Sequence, residues 1–125
     1  MIKTGIDMKR DMDLIRAILL AVESDPHGIA PKIEIPDYTE EQIGYHAFLL
    51  GEAGLAEVRD VTSYSGKSPE AQVTRLTLAG HEFLDSARDN HIWNQAKDII
   101  GKVGSASMQI WIAVLTQLAQ KKLGL

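Results

Sequence analysis

The first amphipathic segment of the chain is "DMDLIRAILLAVESD", which begins at Asp11. Its apolar residues recur at a helical spacing, and its first aspartates stand where carboxylates favour the amino end of a helix dipole. The pattern predicts a first helix with buried positions at Met12, Ile15, Leu19 and Val22.

The next segment, "PHGIAPKIEIPDY", contains three prolines, and its "KIEI" stretch at residues 32–35 alternates polar and apolar residues. Proline disfavours helix, and alternation is typical of a strand. The segment therefore predicts a loop followed by a short strand.

A second helix is predicted over "TEEQIGYHAFLLGEAG", because Thr39 and Gln42 have the spacing of a capping box and Gly54 is a suitable helix stop. At 100° per residue one face of this helix holds Ile43, His46, Ala47, Leu50 and Ala53, which we predict to be buried. The opposite face is predicted to point outward, with Glu41, Gly44, Tyr45, Phe48, Gly51 and Glu52.

"LAEVRDVTSY" and "AQVTRLTL" read as strands on either side of "SGKSPE", where Gly66 and Pro69 suit a hairpin tip. This hairpin is the candidate wing of a winged-helix domain. Its cations, Arg59, Lys67 and Arg75, are the candidates for contacts with a DNA backbone.

Further helices are predicted after the hairpin, one capped by Thr77, one following Asn90 and one beginning near Ser105 or Ser107. The inward positions of the first of them are predicted to be Ala79, Phe83, Leu84 and Ala87. The order of elements predicts an α+β, mainly helical fold, with a winged-helix-like domain at residues 1–90 and a C-terminal helical extension at residues 91–125. The helix that normally precedes a DNA-reading helix has no counterpart in "APKIEIPDY".

The last helix has a broad apolar arc that one contact face cannot cover. We expect it to pack on its own domain and on a second subunit or another protein, while burial in the core and binding to a membrane surface are the alternatives. The candidate oligomerisation residues are Ile110, Trp111, Val114, Leu115 and Leu118.

Composition narrows the function classes. The chain has 125 residues, of which 45% are hydrophobic and 24% charged, and it has no cysteine, which excludes disulfides, thiolate nucleophiles and cysteine zinc sites. The amino-terminal sequence lacks the apolar core of a signal peptide, and no run of about 18 apolar residues could span a bilayer. We therefore expect a cytoplasmic protein without a membrane partner.

The net charge is −4, and the acidic residues cluster in the first half of the chain. Between Asp11 and Val58 the only cations are Arg16 and Lys32, so no basic stripe for phosphate binding is present. This distribution disfavours a nucleic-acid partner.

Three segments, "MKRDMDLIRAILLAVE", "YHAFLLGEAGL" and "RLTLAGHEFLDSARDNHIWNQAK", resemble a family of small bacterial and prophage-borne proteins classified only as a domain of unknown function. The resemblance covers nearly the whole chain. It implies a winged-helix-like fold and an association with phages and mobile elements, and it implies no particular activity.

The second predicted helix also resembles the reading helix of winged-helix repressors, with His46, Leu50 and "EAGL" at residues 52–55 in matching places. The positions that face DNA in such repressors are here occupied by Gly44, Tyr45, Phe48 and Gly51, none of which is cationic. Aromatic residues beside glycines favour contact with protein, either a partner or this protein's own C-terminal helices.

Catalytic chemistry has little support in the sequence. His81 and Asp85 have the i, i+4 spacing of a shared metal, but a hydrogen-bonded surface pair is the preferred interpretation, and His46 is expected to be a core histidine. We expect no enzyme, cofactor or metal. The leading hypothesis is a winged-helix module that binds protein and self-associates in phage or mobile-element regulation or defence, and the alternative is a regulator that contacts DNA through its wing.

Overall fold

A computed structural model describes residues 8–28 and 32–125. In this part of the chain the elements are α1 (Met12–Ser24), α2 (Glu40–Glu52), β1 (Ala56–Asp60), β2 (Ala71–Leu76), α3 (Leu78–Ala87), α4 (Asn90–Gly101) and α5 (Met108–Lys122). The predicted α+β, mainly helical class is confirmed. The chain divides into two compact units inside α3, the first ending at His81 and the second being Glu82–Leu125.

Helix α1 begins at its predicted place because Asp11 caps it. The Asp11 Oδ1 atom accepts the Leu14 backbone N–H at 3.1 Å, which satisfies one of the unpaired donors at the helix start. The buried side of the helix comprises Met12, Leu14, Ile15, Ile18, Leu19 and Val22, as its apolar spacing predicts.

The prediction of a strand at residues 32–35 is wrong. These residues form no ladder, and a turn follows them in which the Tyr38 N–H donates to the Ile35 carbonyl at 3.3 Å. Pro36 lacks an N–H to donate, and Asp37 has a left-handed φ of 72°, so an extended strand cannot continue here. The alternation reflects only that Ile33 and Ile35 are half-buried.

Helix α2 has the predicted caps at both ends. The Gln42 N–H donates to Thr39 Oγ1 at 3.0 Å, and the Thr39 N–H donates to Gln42 Oε1 at 2.9 Å. At the carboxyl end Gly54 has a φ of 74°, its N–H donates to the Gly51 carbonyl, and the Leu55 N–H donates to the Leu50 carbonyl. This pair of bonds is a Schellman motif, which turns the chain directly into β1.

The predicted hairpin is present as an antiparallel pair of β1 and β2. Its register pairs Glu57 with Arg75 and Val58 with Val73, so Thr74 is an extra residue on β2. The Thr74 hydroxyl donates to the Glu57 carbonyl at 2.9 Å at this bulge.

Helix α3 is capped by Thr77, whose Oγ1 accepts the Gly80 N–H at 3.1 Å. Phe83, Leu84 and Ala87 are buried as predicted, whereas Ala79 is exposed and Gly80 is buried instead. A Cβ at Gly80 would collide with the carbonyl oxygen of Leu55. Glycine therefore lets α3 start against the backbone that leaves α2.

In the second unit, α4 and α5 pack against each other after N-caps at Asp89 and Ser107. Trp93 of α4 stacks on Trp111 of α5 with ring centroids 5.0 Å apart, and Phe83 meets Trp93 edge-on at 6.3 Å. The Lys122 ammonium binds the Asp89 carboxylate and, with backbone N–H groups, lowers the pKa of Asp89 to about 2. The end of α5 is thus tied to the start of α4.

Candidate interaction site

The predicted outward face of α2 lies partly against the hairpin. Gly44 is buried, and a Cβ there would collide with the Glu70 side chain, while a Cβ at Gly51 would collide with the Val58 side chain. The Ser68 hydroxyl also donates to Glu41 Oε1 at 2.9 Å. The prediction that Gly44 points outward is therefore wrong, because the glycines provide the space into which the hairpin folds. On the opposite face Ile43, His46, Ala47 and Leu50 are buried as predicted, and Ala53 is exposed because it lies in the turn that ends the helix.

The carboxyl half of α2 remains accessible beside the hairpin. Tyr45 and Phe48 are half-buried and Glu52 is exposed. A shallow groove of about 550 Å³ lies on the surface where this half of α2 packs beside the hairpin. We call it the α2–hairpin groove, and its lining residues are Phe48, Gly51, Glu52, Ala56, Glu57, Val58, Asp60 and Thr74.

The groove carries carboxylates and, among its lining residues, no lysine or arginine. Glu57 is paired, since Arg75 Nε and Nη2 donate to its two carboxylate oxygens at 3.0 and 2.7 Å. Asp60 accepts the Thr62 N–H at 2.8 Å, and hydrogen bonds from Thr62 lower the pKa of Asp60. The groove therefore holds negative charge at neutral pH.

The three candidate DNA contacts of the hairpin differ in their hydrogen-bond partners. Arg75 is held by Glu57 and also donates to the Leu76 carbonyl at 3.0 Å. Arg59 donates to the neutral Gln72 side chain at 2.7 Å, and Lys67 is exposed in the loop between the strands. Two of the three cations thus have a side-chain partner on the neighbouring strand.

His46 is the core histidine that the sequence predicts, at 1% exposure. Its Nδ1 lies 2.8 Å from the Gln42 carbonyl, which assigns the ring proton to Nδ1, and its Nε2 accepts the Asp11 backbone N–H at 2.8 Å. The Asp11 carboxylate in turn accepts the Tyr38 hydroxyl at 2.7 Å. Burial and that hydrogen bond raise the pKa of Tyr38 above its ordinary value. This network fastens the start of α1 and the turn after residue 35 to α2.

The protein is expected to lose stability as the pH falls below the ordinary histidine value of 6.5, because burial lowers the pKa of His46 in the folded state. The hydrogen bond to Gln42 and the charge of Asp11 oppose this shift without cancelling it. A depressed folded-state pKa means that the unfolded chain binds the proton more tightly, so the contribution of His46 is complete above the unfolded value and declines below it.

Urea unfolding between about pH 7.5 and about pH 5 measures this effect, since carboxylates titrate mostly below that window. His46→Gln should flatten the pH dependence in this window, whereas His91→Gln, at an exposed position of α4, should preserve it. An unchanged slope in His46→Gln would assign the pH dependence to other groups.

The candidate oligomerisation residues of α5 divide into two groups. Trp111 and Leu115 are 6% and 1% exposed, so the prediction that they face a second subunit is wrong, because Trp111 stacks on Trp93 within the unit. Ile110 is exposed, and Val114 and Leu118 are half-buried. The sequence reasoning missed Ile112, which is exposed on the same helix, and Val103, which is exposed in the turn that follows α4.

His81 and Asp85 are both exposed on α3, and Asp85 lies 3.7 Å from Arg88. Across residues 8–28 and 32–125, no three His, Asp or Glu side chains are grouped so that they could hold a metal ion. None of the helices described in this part of the chain is long and apolar enough to cross a membrane.

These features define the class of the protein: a mainly helical α+β chain in which a capped helix and an antiparallel hairpin flank an acidic, partly apolar groove. The chain belongs to the hypothetical-protein family DUF2513, whose model matches residues 9–107. An uncharacterised protein of Haemophilus influenzae is 38% identical over 117 residues, which cover 90% of this chain and 93% of that relative. No solved structure matches the chain. The predicted membership of a domain-of-unknown-function family is thus confirmed.

Proposed function

We propose that the protein is a non-catalytic, winged-helix-like module that binds another protein through the α2–hairpin groove. The observation that carries the proposal is the make-up of this groove, in which Phe48 and Val58 lie among carboxylates and no cation is present among the lining residues. Aromatic residues are enriched in protein interfaces, whereas a surface that binds DNA needs cations for its phosphates. The phage or mobile-element setting, in regulation or defence, rests on the family resemblance alone.

The winged-helix likeness is supported by the order of elements, in which a helix with a glycine stop leads directly into a hairpin that folds back beside it. In a DNA-reading domain the exposed face of that helix presents donors to the bases. Here Gly44 and Gly51 lie against the hairpin, and the accessible side chains beside them are Tyr45, Phe48 and Glu52. In the proposed domain α2 takes the place of a DNA-reading helix but lacks the donor side chains that contact bases.

The surroundings of His46 support a structural rather than a catalytic role for this histidine. Both of its ring nitrogens are bound to backbone groups, so neither is available to a substrate proton. Its ring is held as a structural element of the core.

We expect a fluorescent DNA duplex to bind only weakly at about 50 mM salt and not measurably at about 150 mM salt, because few phosphates could be neutralised. Fluorescence anisotropy with several duplexes of different sequence measures this. The variant Arg59→Gln with Lys67→Gln should remove the residual low-salt binding. Sequence-selective binding that survives the higher salt concentration would overturn the proposal in favour of a wing-based DNA regulator.

We also propose self-association through the exposed apolar side chains of α5. Ile110 is 51% exposed, and the half-buried Val114 lies one turn further along the same side of α5, which leaves apolar surface that a second copy could cover. Light scattering of the wild-type chain should report an oligomer, and Ile110→Asp should report a monomer of 13.8 kDa.

Thr116→Asp is the matched control, because Thr116 is exposed on the same helix outside the apolar set. It should leave the mass unchanged. A wild-type monomer at all concentrations, or the same mass in both variants, would contradict self-association through these residues.

A further inference from the structure

We infer that the α2–hairpin groove selects a partner segment that carries lysine or arginine beside an apolar side chain. This inference rests on the proposed protein-binding function and adds to it the chemical class of the partner. It also adds hairpin residues to the site, chiefly Asp60 and Val58, which the pattern of α2 alone does not indicate.

The groove has space and apolar surface for one inserted side chain with its neighbours. Its volume is about 550 Å³, and it is shallow and open to solvent, which suits a segment that lies across the surface rather than an enclosed ligand. Phe48 and Val58 are half-buried, and Ala56 is buried, so part of each of the two larger side chains stays accessible. An apolar side chain placed here would bury surface on both α2 and β1.

The charge of the groove is complementary to a cation. Because Arg75 already neutralises Glu57, the net negative charge comes from Glu52 and Asp60, and neither of them forms an ion pair within residues 8–28 and 32–125. Hydrogen bonds from Thr62 also lower the pKa of Asp60, which favours its ionised form. The same charges disfavour nucleic acids and acidic segments.

The position of the groove along α2 adds to its negative electrostatic potential. Glu52 is the last residue of α2, so the groove lies at the carboxyl end of the helix, where the macrodipole is negative. Lysine and arginine are the side chains that this end of a helix favours. Glu52 and the carboxyl end of α2, together with Asp60 on β1, therefore all attract positive charge.

The test uses two short fluorescent peptides that have leucine at the same positions. The positions between the leucines are all lysine in the lysine peptide and all glutamate in the glutamate peptide. At about 50 mM salt the full chain should bind the lysine peptide at least about tenfold more tightly than the glutamate peptide. Glu52→Gln with Asp60→Asn should weaken binding of the lysine peptide by about threefold to tenfold, as expected for two exposed charges.

Glu82→Gln with Asp98→Asn is the control variant, because it makes the same change in net charge at exposed positions outside the groove. It should bind the lysine peptide as the wild type does. Equal weakening in the two double variants, equal affinity for the two peptides, or no binding of the lysine peptide would overturn the inference.

Phe48→Ala separates this inference from the proposed function. It should weaken binding of the lysine peptide, because it removes the apolar wall. If the glutamate peptide binds more tightly and Phe48→Ala weakens that binding, the groove is an interface and the assignment of a cationic partner is wrong. If neither peptide binds and the DNA duplex does, the proposed function itself fails.

Discussion

Gly80→Ala is expected to lower the free energy of unfolding by about 3 kcal/mol, near the upper end of the usual cost of overpacking. The added Cβ would collide with the carbonyl oxygen and carbon of Leu55, which belong to the backbone and cannot rotate away. Moving Leu55 would also strain two hydrogen bonds, since its carbonyl accepts the Thr77 N–H at 3.2 Å and its N–H donates to the Leu50 carbonyl at 3.0 Å. Urea unfolding followed by circular dichroism measures the effect.

Gly101→Ala is the control for this substitution. Gly101 is the last residue of α4, and nothing lies within 4 Å of a Cβ placed there. Alanine should leave stability unchanged or raise it by up to about 0.5 kcal/mol through its better helix propensity. Equal stability of the Gly80→Ala and Gly101→Ala proteins would show that α3 does not start against the Leu55 backbone.

Trp93→Ala is expected to destabilise the second unit by about 3–5 kcal/mol, the usual cost of truncating a buried tryptophan. Trp93 is 2% exposed and contacts two other rings, stacking on Trp111 and meeting Phe83 edge-on. Its removal leaves a cavity and ends both ring contacts. Hydrogen exchange of the α4 and α5 amides, measured beside urea unfolding, should show the loss of protection there.

Trp93→Phe and Leu78→Ala are the controls for Trp93→Ala. Trp93→Phe keeps an aromatic ring and should cost less than Trp93→Ala. Leu78 is 74% exposed, so Leu78→Ala should cost about 0.5 kcal/mol or less. If Trp93→Ala lowered the free energy of unfolding no more than Leu78→Ala does, the stacked rings would not hold α4 and α5 together.

The helix boundaries could be predicted from the sequence because caps are local. Thr39, Gln42 and Gly54 act on backbone groups within a few residues of themselves, and the same is true of Asp11 at the start of α1. The hairpin could be predicted for a similar reason, since its alternation and turn residues lie within one short segment. Such features need no knowledge of the rest of the fold.

The errors concern contacts between segments that are distant in sequence. The pattern of α2 shows that Gly44 and Gly51 lie on one face, but not that Glu70 and Val58 of the hairpin would fill the space beside them. The buried stripe of α3 includes Gly80 rather than Ala79 because Leu55 comes close to it. Hydrophobic spacing alone carries no information about a backbone oxygen from another element.

The contacts of α5 likewise could not be predicted from the spacing of its own residues. Its apolar residues extend almost around the helix, so the sequence indicates two contact sides without assigning either of them. Packing against α4 takes Trp111 and Leu115 and leaves Ile110 and Ile112 exposed. Trp93, which lies on a different helix from the buried pair, decides which side is internal.

The candidate site could be predicted in part. The lack of cations on α2 and the acidic first half of the chain are visible in the sequence, and these two features by themselves disfavour DNA. The contribution of the hairpin is not visible, because Asp60 and Val58 join Phe48 and Glu52 only when β1 turns back beside α2. The pairing of Arg75 with Glu57 likewise depends on strand register.

The central claim, that α2 and the hairpin form a protein-binding surface, is tested most directly by mapping backbone amide shifts in two titrations of the isotope-labelled chain. At about 150 mM salt the lysine peptide should shift the amide signals of Phe48, Glu52, Val58 and Asp60, whereas a DNA duplex should shift none of them. Shifts caused by DNA around Arg59 and Lys67, with the groove amides unmoved by the peptide, would contradict the claim.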